Sequence, residues 1–393
     1  MLNTLILNTE IQKFITDNLN SNTTAILLKG TAFKGVETRA IVEQIEAKKK
    51  CETKLKTWYN TPNIYYPNKL NIEQTSSEQT AHYKASLISG ETLIDITGGF
   101  GVDCYAFSKH FKQVTHCEIN SDLSEIVTHN YKQLQIDNIE TINEDGISYL
   151  KQTPQVFDWI YVDPSRRHDS KGKVFFLNDC LPNVPEHLEL LFKHANNILV
   201  KTSPLLDIAI GIDELKYVSA LHVIALNNDV KELLWVLNKN ATDSFTIHTA
   251  NITKSKIETF NFPMAAEGAL YTVYSEPLTY VYEPNSAILK AGAFNSIANQ
   301  LELFKLQKHS HLYTSDNYIA FPGRVFKIEK VIPFNKKAIQ KERIDKANIT
   351  TRNFSESVSQ LRKKLKIKDG GDIYLFFTTD LNAHKIVLIC AKL

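Results

Sequence analysis

The run Leu93-Ile94-Asp95-Ile96-Thr97-Gly98-Gly99-Phe100-Gly101-Val102-Asp103 sets two carboxylates around a cluster of glycines. Glycines this close together let the backbone turn tightly and approach a ligand that any Cβ would hold off. The apolar residues before them predict a buried strand tipped by Asp95, and the residues after them predict a helix opening at Val102. Glu118 ends a second strand-like run, Gln113 to Asn120, and lies 23 residues after Asp95, a spacing that suits acceptance of two ribose hydroxyls. Asp145 follows a third run, Ile139 to Ile142, within Asn143-Glu144-Asp145-Gly146. Acidic strand tips in succession along one edge of a parallel sheet are where open α/β folds bind nucleotide cofactors.

Two cofactors compete for that edge. A dinucleotide fingerprint read from Gly99 gives Gly99-Phe100-Gly101-Val102-Asp103-Cys104, with Cys104 where close helix–strand packing asks for Gly or Ala. Asp103 at the helix N-terminus suits the helix dipole but is expected to repel a pyrophosphate. S-adenosylmethionine (SAM) has no phosphate and carries a positive sulfonium, which tolerates acidic neighbours. The stretch resembles the first motif of class I SAM-dependent methyltransferases, and NAD is the poorer fit. The resemblance gives a SAM-binding set of Asp95, Thr97, Gly98, Gly99, Gly101, Glu118, Ile119, Asp145 and Gly146, with Asp145 meeting the adenine amino group. It also implies that the helix opening at Ser76-Ser77-Glu78 covers the methionine moiety, which adds Ser77 and Thr80; an ordinary helix cap is the competing reading.

Phe157 to Val162 predicts a fourth buried strand, ending in Asp163-Pro164-Ser165-Arg166-Arg167. Pro164 fixes φ and lacks an N–H, so it holds the loop without a ladder bond. This tip resembles the fourth motif of nucleic-acid methyltransferases, in which Asp-Pro or Asn-Pro presents acceptors to the target group. Amino-methylating members carry a terminal aromatic there, whereas this chain has Ser165-Arg166. Asp-Pro-x-Arg looks more like the RNA uridine-C5 methyltransferases, which need a cysteine after the fifth strand. Here that strand, Asn197 to Lys201, is followed by Thr202-Ser203-Pro204, and Cys180 is expected at a helix start as a small buried hydrophobe. The expected chemistry is direct transfer to nitrogen or oxygen, which needs positioning and a proton acceptor. The catalytic candidates are Asp163 and Pro164 for orienting the acceptor, with Arg166 and Arg167 gripping a phosphate or carboxylate.

The elements that must position these residues predict an α/β fold: a Rossmann-like, seven-stranded class I methyltransferase sheet with small α+β modules behind it. Residues 1–75 form an N-terminal helical region, with helices over Glu10 to Leu19 and Glu37 to Lys56. The basic end of the second, with Trp58, Tyr59, Tyr65 and Tyr66, either meets RNA by charge and stacking or packs on the catalytic domain. Residues 76–240 form the methyltransferase domain, in which Val218 to Leu226 and Glu232 to Leu237 are the sixth and seventh strands. Residues 241–318 hold linker strands and a small module, in which Glu283 to Gly292 is a turn leading into a helix that reaches about Phe304. Residues 319–393 hold the helix Phe354 to Leu365, a turn at Asp369-Gly370-Gly371 and a hairpin of Ile373 to Thr378 with Lys385 to Ala391.

The chain has 393 residues, 43% hydrophobic and 22% charged, which is globular composition spread over two or three domains. No window approaches a membrane span, no leader signature opens the chain, and the five cysteines are spread without C-x-x-C, so a cytoplasmic protein without metal is expected. Residues 319–393 hold 16 Lys plus Arg against 7 Asp plus Glu, while residues 1–318 hold 29 against 36. A basic appendage on an acidic body is a usual way to engage a polyanion. Ala347 to Phe354 and Lys366 to Asp372 are similar to the THUMP-like domain of a group of bacterial class I methyltransferases. The similarity spans nearly the whole chain, including Gly35-Val36-Glu37, Ser76-Ser77-Glu78 and Asp163 to Arg167. It implies a ferredoxin-like middle module and, by analogy with true THUMP domains, structured RNA (tRNA or rRNA) held by Lys363, Lys364, Lys366 and Arg352. Two alternatives stay open: a protein or small-molecule acceptor, and a non-catalytic RNA-binding protein that keeps the SAM fold. Oligomeric state is not readable from the sequence.

Overall fold

A computed structural model describes residues 2–166, 176–242 and 244–393. The chain divides into two compact units, Met1–Ser219 with Leu233–Asp243, and Ala220–Glu232 with Ser244–Leu393.

The first unit contains β1 (Gly90–Asp95), β2 (Phe111–Cys117), β3 (Ile139–Ile142) and β4 (Trp159–Val162). A short antiparallel pair, β5 (Ser165–Arg166) and β6 (Cys180–Leu181), precedes β7 (Asn197–Thr202). Then come β8 (Val218–Leu226), mostly in the second unit, and β9 (Asp229–Asn238), whose later half returns to the first. Within the first unit the order is β9-β7-β4-β1-β2-β3, parallel except for β9, which runs against β7. The central strands are continuous apolar runs because both faces are covered: Leu93, Ile94, Ile160, Ile198, Leu199 and Val200 are all fully buried. Parallel alignment brings the tips of β1, β2, β3 and β4 to one edge.

The N-terminal helices include Thr9–Asp17, Thr38–Lys54 and Lys56–Asn60. Trp58 is fully buried against Tyr105, and Tyr65 and Tyr66 are buried too, so these aromatics are core residues and not a stacking surface. Cys180 lies in β6, two residues long, and not at the start of the following helix Val184–His194; it is buried as expected.

In the second unit, β10 (Thr246–Ile252) runs parallel to β8, and β11 (Ile257–Pro263) antiparallel to β10. A separate sheet contains β12 (Tyr280–Pro284), β13 (Phe304–Lys305), β14 (Tyr313–Ser315), β15 (Gly323–Pro333), β16 (Lys346–Thr351), β17 (Lys368–Thr379) and β18 (Lys385–Lys392). Its order is β13-β14-β12-β15-β18-β17-β16. Alternation along β17 splits its side chains between two cores: Leu375 and Phe377 pack with Ile339 and Leu361, while Phe376 packs with Val281, Phe326 and Leu388. Ile339 and Leu361 belong to the helices Lys336–Lys341 and Val358–Leu365, which therefore lie on the same face of the sheet.

Two sequence expectations need correction here. The turn at Glu283 to Gly292 already holds a helix, Ser286–Ala291, which Gly292 ends in a left-handed conformation at φ 75°, and the helix expected to reach Phe304 is the short Ser296–Gln300. Asp369-Gly370-Gly371, expected as a turn before a strand, does not interrupt the strand. It sits inside β17, where the pairing with β16 jumps from Ala347↔Asp369 to Asn348↔Tyr374 and both glycines have positive φ. Among the described residues no helix is long and apolar enough to cross a membrane.

Candidate functional site

The glycine loop joins β1 to the helix Val102–Phe107 and lies against the tip of β2. Gly98 has no room for a side chain, since a Cβ there would stand 2.3 Å from the His116 ring. Gly101 has φ 77° and its carbonyl accepts from the Tyr131 hydroxyl at 2.9 Å. Glu118 holds the loop from the β2 side: one oxygen accepts the Gly99 N–H at 2.9 Å and the other the Asn120 N–H at 2.7 Å. A carboxylate has about four lone-pair sites, so two remain for further donors. Beside it Ile119 is 72% exposed, an apolar side chain left open at a strand tip. Asp145 caps the helix Gly146–Gln152, accepting the Ser148 N–H and hydroxyl on Oδ1 at 2.8 and 2.9 Å. Gly146 packs directly on Ile96, with no space for a Cβ. The structure thus gathers Gly98, Gly99, Gly101, Glu118, Ile119, Asp145 and Gly146 along the tips of β1, β2 and β3.

Asp95 is turned inward. It is 1% exposed, its Oδ1 accepts the Thr97 N–H and hydroxyl at 2.9 and 3.1 Å, and its Oδ2 accepts from Cys104 Sγ at 3.3 Å. Burial, with the nearby Asp103 charge adding to it, pushes its carboxyl up to about 7. Asp95 therefore braces the loop from behind. His116, fully buried below the loop, is held down to about 4 by burial; its Nε2 lies 3.3 Å from the Gly99 carbonyl. Its Nδ1 has no hydrogen-bond partner among the described residues.

Asp103 corrects a sequence argument. Its carboxylate points into the interior, where Lys84 Nζ reaches Oδ1 at 2.9 Å while Ser76 Oγ and Tyr161 Oη donate to Oδ2 at 2.9 and 2.8 Å. Burial opposes the charge, but Lys84 and Lys201 outweigh it and hold the carboxyl below its usual range. The charge is neutralised, so it presents no obstacle to a pyrophosphate. The objection from Cys104 stands, since that residue is fully buried where Gly or Ala is needed. The Lys84 ammonium was not found from sequence, because a lysine in a helix gives no sign that it is buried.

Ser77 and Thr80 serve their own helix: Ser77 Oγ accepts the Thr80 N–H at 3.2 Å, and the Thr80 hydroxyl donates to the Ser77 carbonyl at 3.1 Å. Glu78 accepts from Thr57. The local cap accounts for Ser77 and Thr80, and the helix Lys56–Asn60 engages Glu78.

At the tip of β4, Asp163 Oδ2 pairs with Lys201 Nζ from β7, and the Asp163 N–H donates to Thr97 Oγ1 at 2.7 Å. Thr97 thus bridges Asp95 and Asp163. Pro164 is buried and Arg166 half-buried on β5; Arg167 lies outside the described residues. Lys201 is a partner of Asp163 that sequence reasoning missed, although its position at the end of the fifth strand was legible. Among the described residues no group of three or more His, Cys, Asp or Glu is placed to hold a metal.

The nucleic-acid candidates fall in the second unit. Lys363 and Lys366 are exposed on and just after the helix Val358–Leu365. Lys364 pairs with Glu356 at 2.7 Å and lies over the Phe334 ring. Arg352 is tied to the buried Glu283 at 2.8 Å, beside Arg324 on the same carboxylate, and so stands apart from the lysines.

Comparison with known proteins agrees with this architecture. Residues 72–185 match the family described as conserved hypothetical protein 95, residues 280–322 a ferredoxin-like domain, and residues 323–392 a THUMP domain-like family. An uncharacterized RNA methyltransferase of Mycoplasma mobile is 31% identical over 134 residues, 33% of this chain and 36% of that one. The chain thus spans about a third of the length of that curated relative. A solved structure from Porphyromonas gingivalis W83, named as a methyltransferase, is 33% identical at a TM-score of 0.88, covering 98% of this chain and 97% of that one. The chain belongs to the class I methyltransferases that carry a ferredoxin-like domain and a C-terminal THUMP-like domain.

Proposed function

We propose that the protein transfers the methyl group of SAM to a nitrogen or oxygen of structured RNA. The observation that carries the cofactor is Glu118, which anchors the glycine loop and keeps acceptor capacity beside an exposed Ile119. A ribose donates to such a carboxylate, and an apolar side chain next to it suits a purine face. The Gly98 and Gly101 positions, where a Cβ would collide with His116 and Tyr131, keep the loop close to β2 and its N–H groups in place.

When bound, SAM supplies a methyl carbon activated by the sulfonium; the acceptor's lone pair forms the new bond as the carbon–sulfur pair stays with sulfur. The chain's part is positioning. Asp163, fixed at the neighbouring strand tip, orients the acceptor group, and Arg166 is near enough in sequence to steady a phosphate. The RNA reading is supported by the name of the Mycoplasma relative, by the basic C-terminal segment and by the exposed Lys363 and Lys366. Five buried free thiols suit a reducing, cytosolic setting.

Calorimetric titration with S-adenosylhomocysteine (SAH), with NAD in parallel, tests the cofactor. Micromolar binding of SAH and no response to NAD is expected; the reverse overturns the assignment. Labelled SAM offered to RNA, protein and metabolite fractions then tests the acceptor. Label in the protein or metabolite fraction alone would replace RNA as the substrate.

A further inference from the structure

Asp163 is held at three points. The parallel pairing of β4 with β7 sets Val162 opposite Val200, so Asp163 and Lys201 leave the sheet side by side. The Lys201 ammonium, 13% exposed, pairs with Oδ2 of a carboxylate that is 35% exposed. The backbone N–H of Asp163 donates to Thr97 Oγ1, whose own hydroxyl donates to the buried Asp95. Pro164 follows at once and fixes φ. Among the described residues Asp163 Oδ1 has no hydrogen-bond partner.

We propose that Lys201 is the positioning residue of the reaction site: with the Thr97 hydroxyl it clamps Asp163 so that Oδ1 alone is offered to the methyl acceptor. This rests on the reading of Asp163 as the acceptor-orienting group. It also selects the substrate. A carboxylate with an ammonium on one oxygen only accepts hydrogen bonds, so the group it orients must bring an N–H or O–H. The acceptor is therefore a nucleotide group that carries hydrogen: an exocyclic amino group, a hydroxyl or a ring N–H. A ring carbon would need a thiol nucleophile, and all five cysteines are buried. A ring nitrogen without hydrogen would have nothing to donate. In the transfer the acceptor's lone pair forms the bond to the methyl carbon, the carbon–sulfur electron pair stays with sulfur, and the acceptor's proton leaves to water.

The Lys201 side chain is only 13% exposed and its charge also steadies the buried Asp103, so thermal unfolding of each variant establishes that it is folded before transfer is assayed. Lys201→Met, Lys201→Arg, Asp163→Asn and the Lys201→Met/Asp163→Asn double variant are compared in three measurements. These are SAH affinity, single-turnover transfer from labelled SAM to unmodified transcribed RNA, and the crystal structure of Lys201→Met. Misplacement of a reacting group predicts a loss of roughly 10- to 100-fold in transfer for Lys201→Met. SAH affinity stays within about twofold, the mark of a group that acts on the reaction and not on cofactor binding. Lys201→Arg recovers most of the rate, and the double variant is no slower than Asp163→Asn. Wild-type rate in Lys201→Met, losses that multiply in the double variant, or an unmoved Asp163 carboxylate in the Lys201→Met crystal would each overturn the clamp. Wild-type protein that binds SAH and labels no RNA removes the RNA reading, while the crystal comparison still decides the clamp.

Discussion

Glu118 braces the glycine loop with the same carboxylate that the proposed ribose needs. Glu118→Ala removes both functions, and hydrogen bonds to a charged group are worth about 1.5–3 kcal/mol each. SAH affinity measured by calorimetry should fall by roughly 100-fold, with Glu118→Gln in between. The two buried titrating groups around the loop pull stability in opposite directions. Asp95 titrates near 7 in the fold against 3.8 unfolded, so the folded state holds the extra proton and stability falls as pH rises from about 4 to 7. His116 titrates near 4 against 6.5, so the unfolded state holds the extra proton and stability falls as pH drops from about 6.5 to 4. At 1.36 kcal/mol per unit these amount to roughly 4 and 3 kcal/mol, and they nearly cancel over their shared range. Burial also holds His222 down to about 3 and His311 to about 4, so urea denaturation at several pH values should show wild-type stability falling as pH drops below 6.5. Asp95→Asn should steepen that fall between 4.5 and 6.5, and an unchanged slope in that variant would refute the opposition of Asp95 and His116.

The helix-opening loop depends on backbone conformations as much as on side chains. Gly101→Ala imposes a left-handed residue, costing roughly 1–2 kcal/mol, and drives a Cβ to 2.2 Å from Tyr131 Oη. Gly292→Ala imposes the same conformation with nothing within 4 Å, so it should cost only that first amount. Chemical denaturation should rank Gly101→Ala well below Gly292→Ala in stability; equal losses would mean that the loop can relax. The strands carrying the site were legible because each is a short apolar run ending in an acid: Ile139–Ile142 and Val218–Leu226 have the boundaries that their sequences imply. The second unit was harder. Gly370 and Gly371 signal a turn equally well whether the chain reverses or merely bulges within β17, and only pairing with β16 decides. Of the site, the carboxylates were visible, but their directions were not. Asp95 and Asp103 face inward because Thr97, Cys104, Lys84 and Tyr161 offer them donors there, and such partners lie up to 58 residues away in the chain.

Across the whole molecule the charges are segregated: a basic C-terminal segment follows an acidic remainder. Phosphate contacts by such a segment make affinity fall with salt, in proportion to the number of contacts. Because Lys364 is engaged with Glu356 and Phe334, the pair to reverse is Lys363→Glu with Lys366→Glu. RNA affinity should drop and its salt dependence flatten, with SAH binding untouched; an unaltered salt slope would place the RNA elsewhere. The division of the chain also bears on how the protein is made. The polypeptide passes between its two units at residues 219–220, 232–233 and 243–244. A nascent chain emerging from the ribosome thus delivers β7 well before the half of β9 that pairs with it. Until Leu233 to Asn238 arrive, β7 presents a bare edge, and unpaired edges recruit other strands. A released chain ending near residue 230 should therefore aggregate more than one ending after residue 245, as light scattering of the two truncated chains would show.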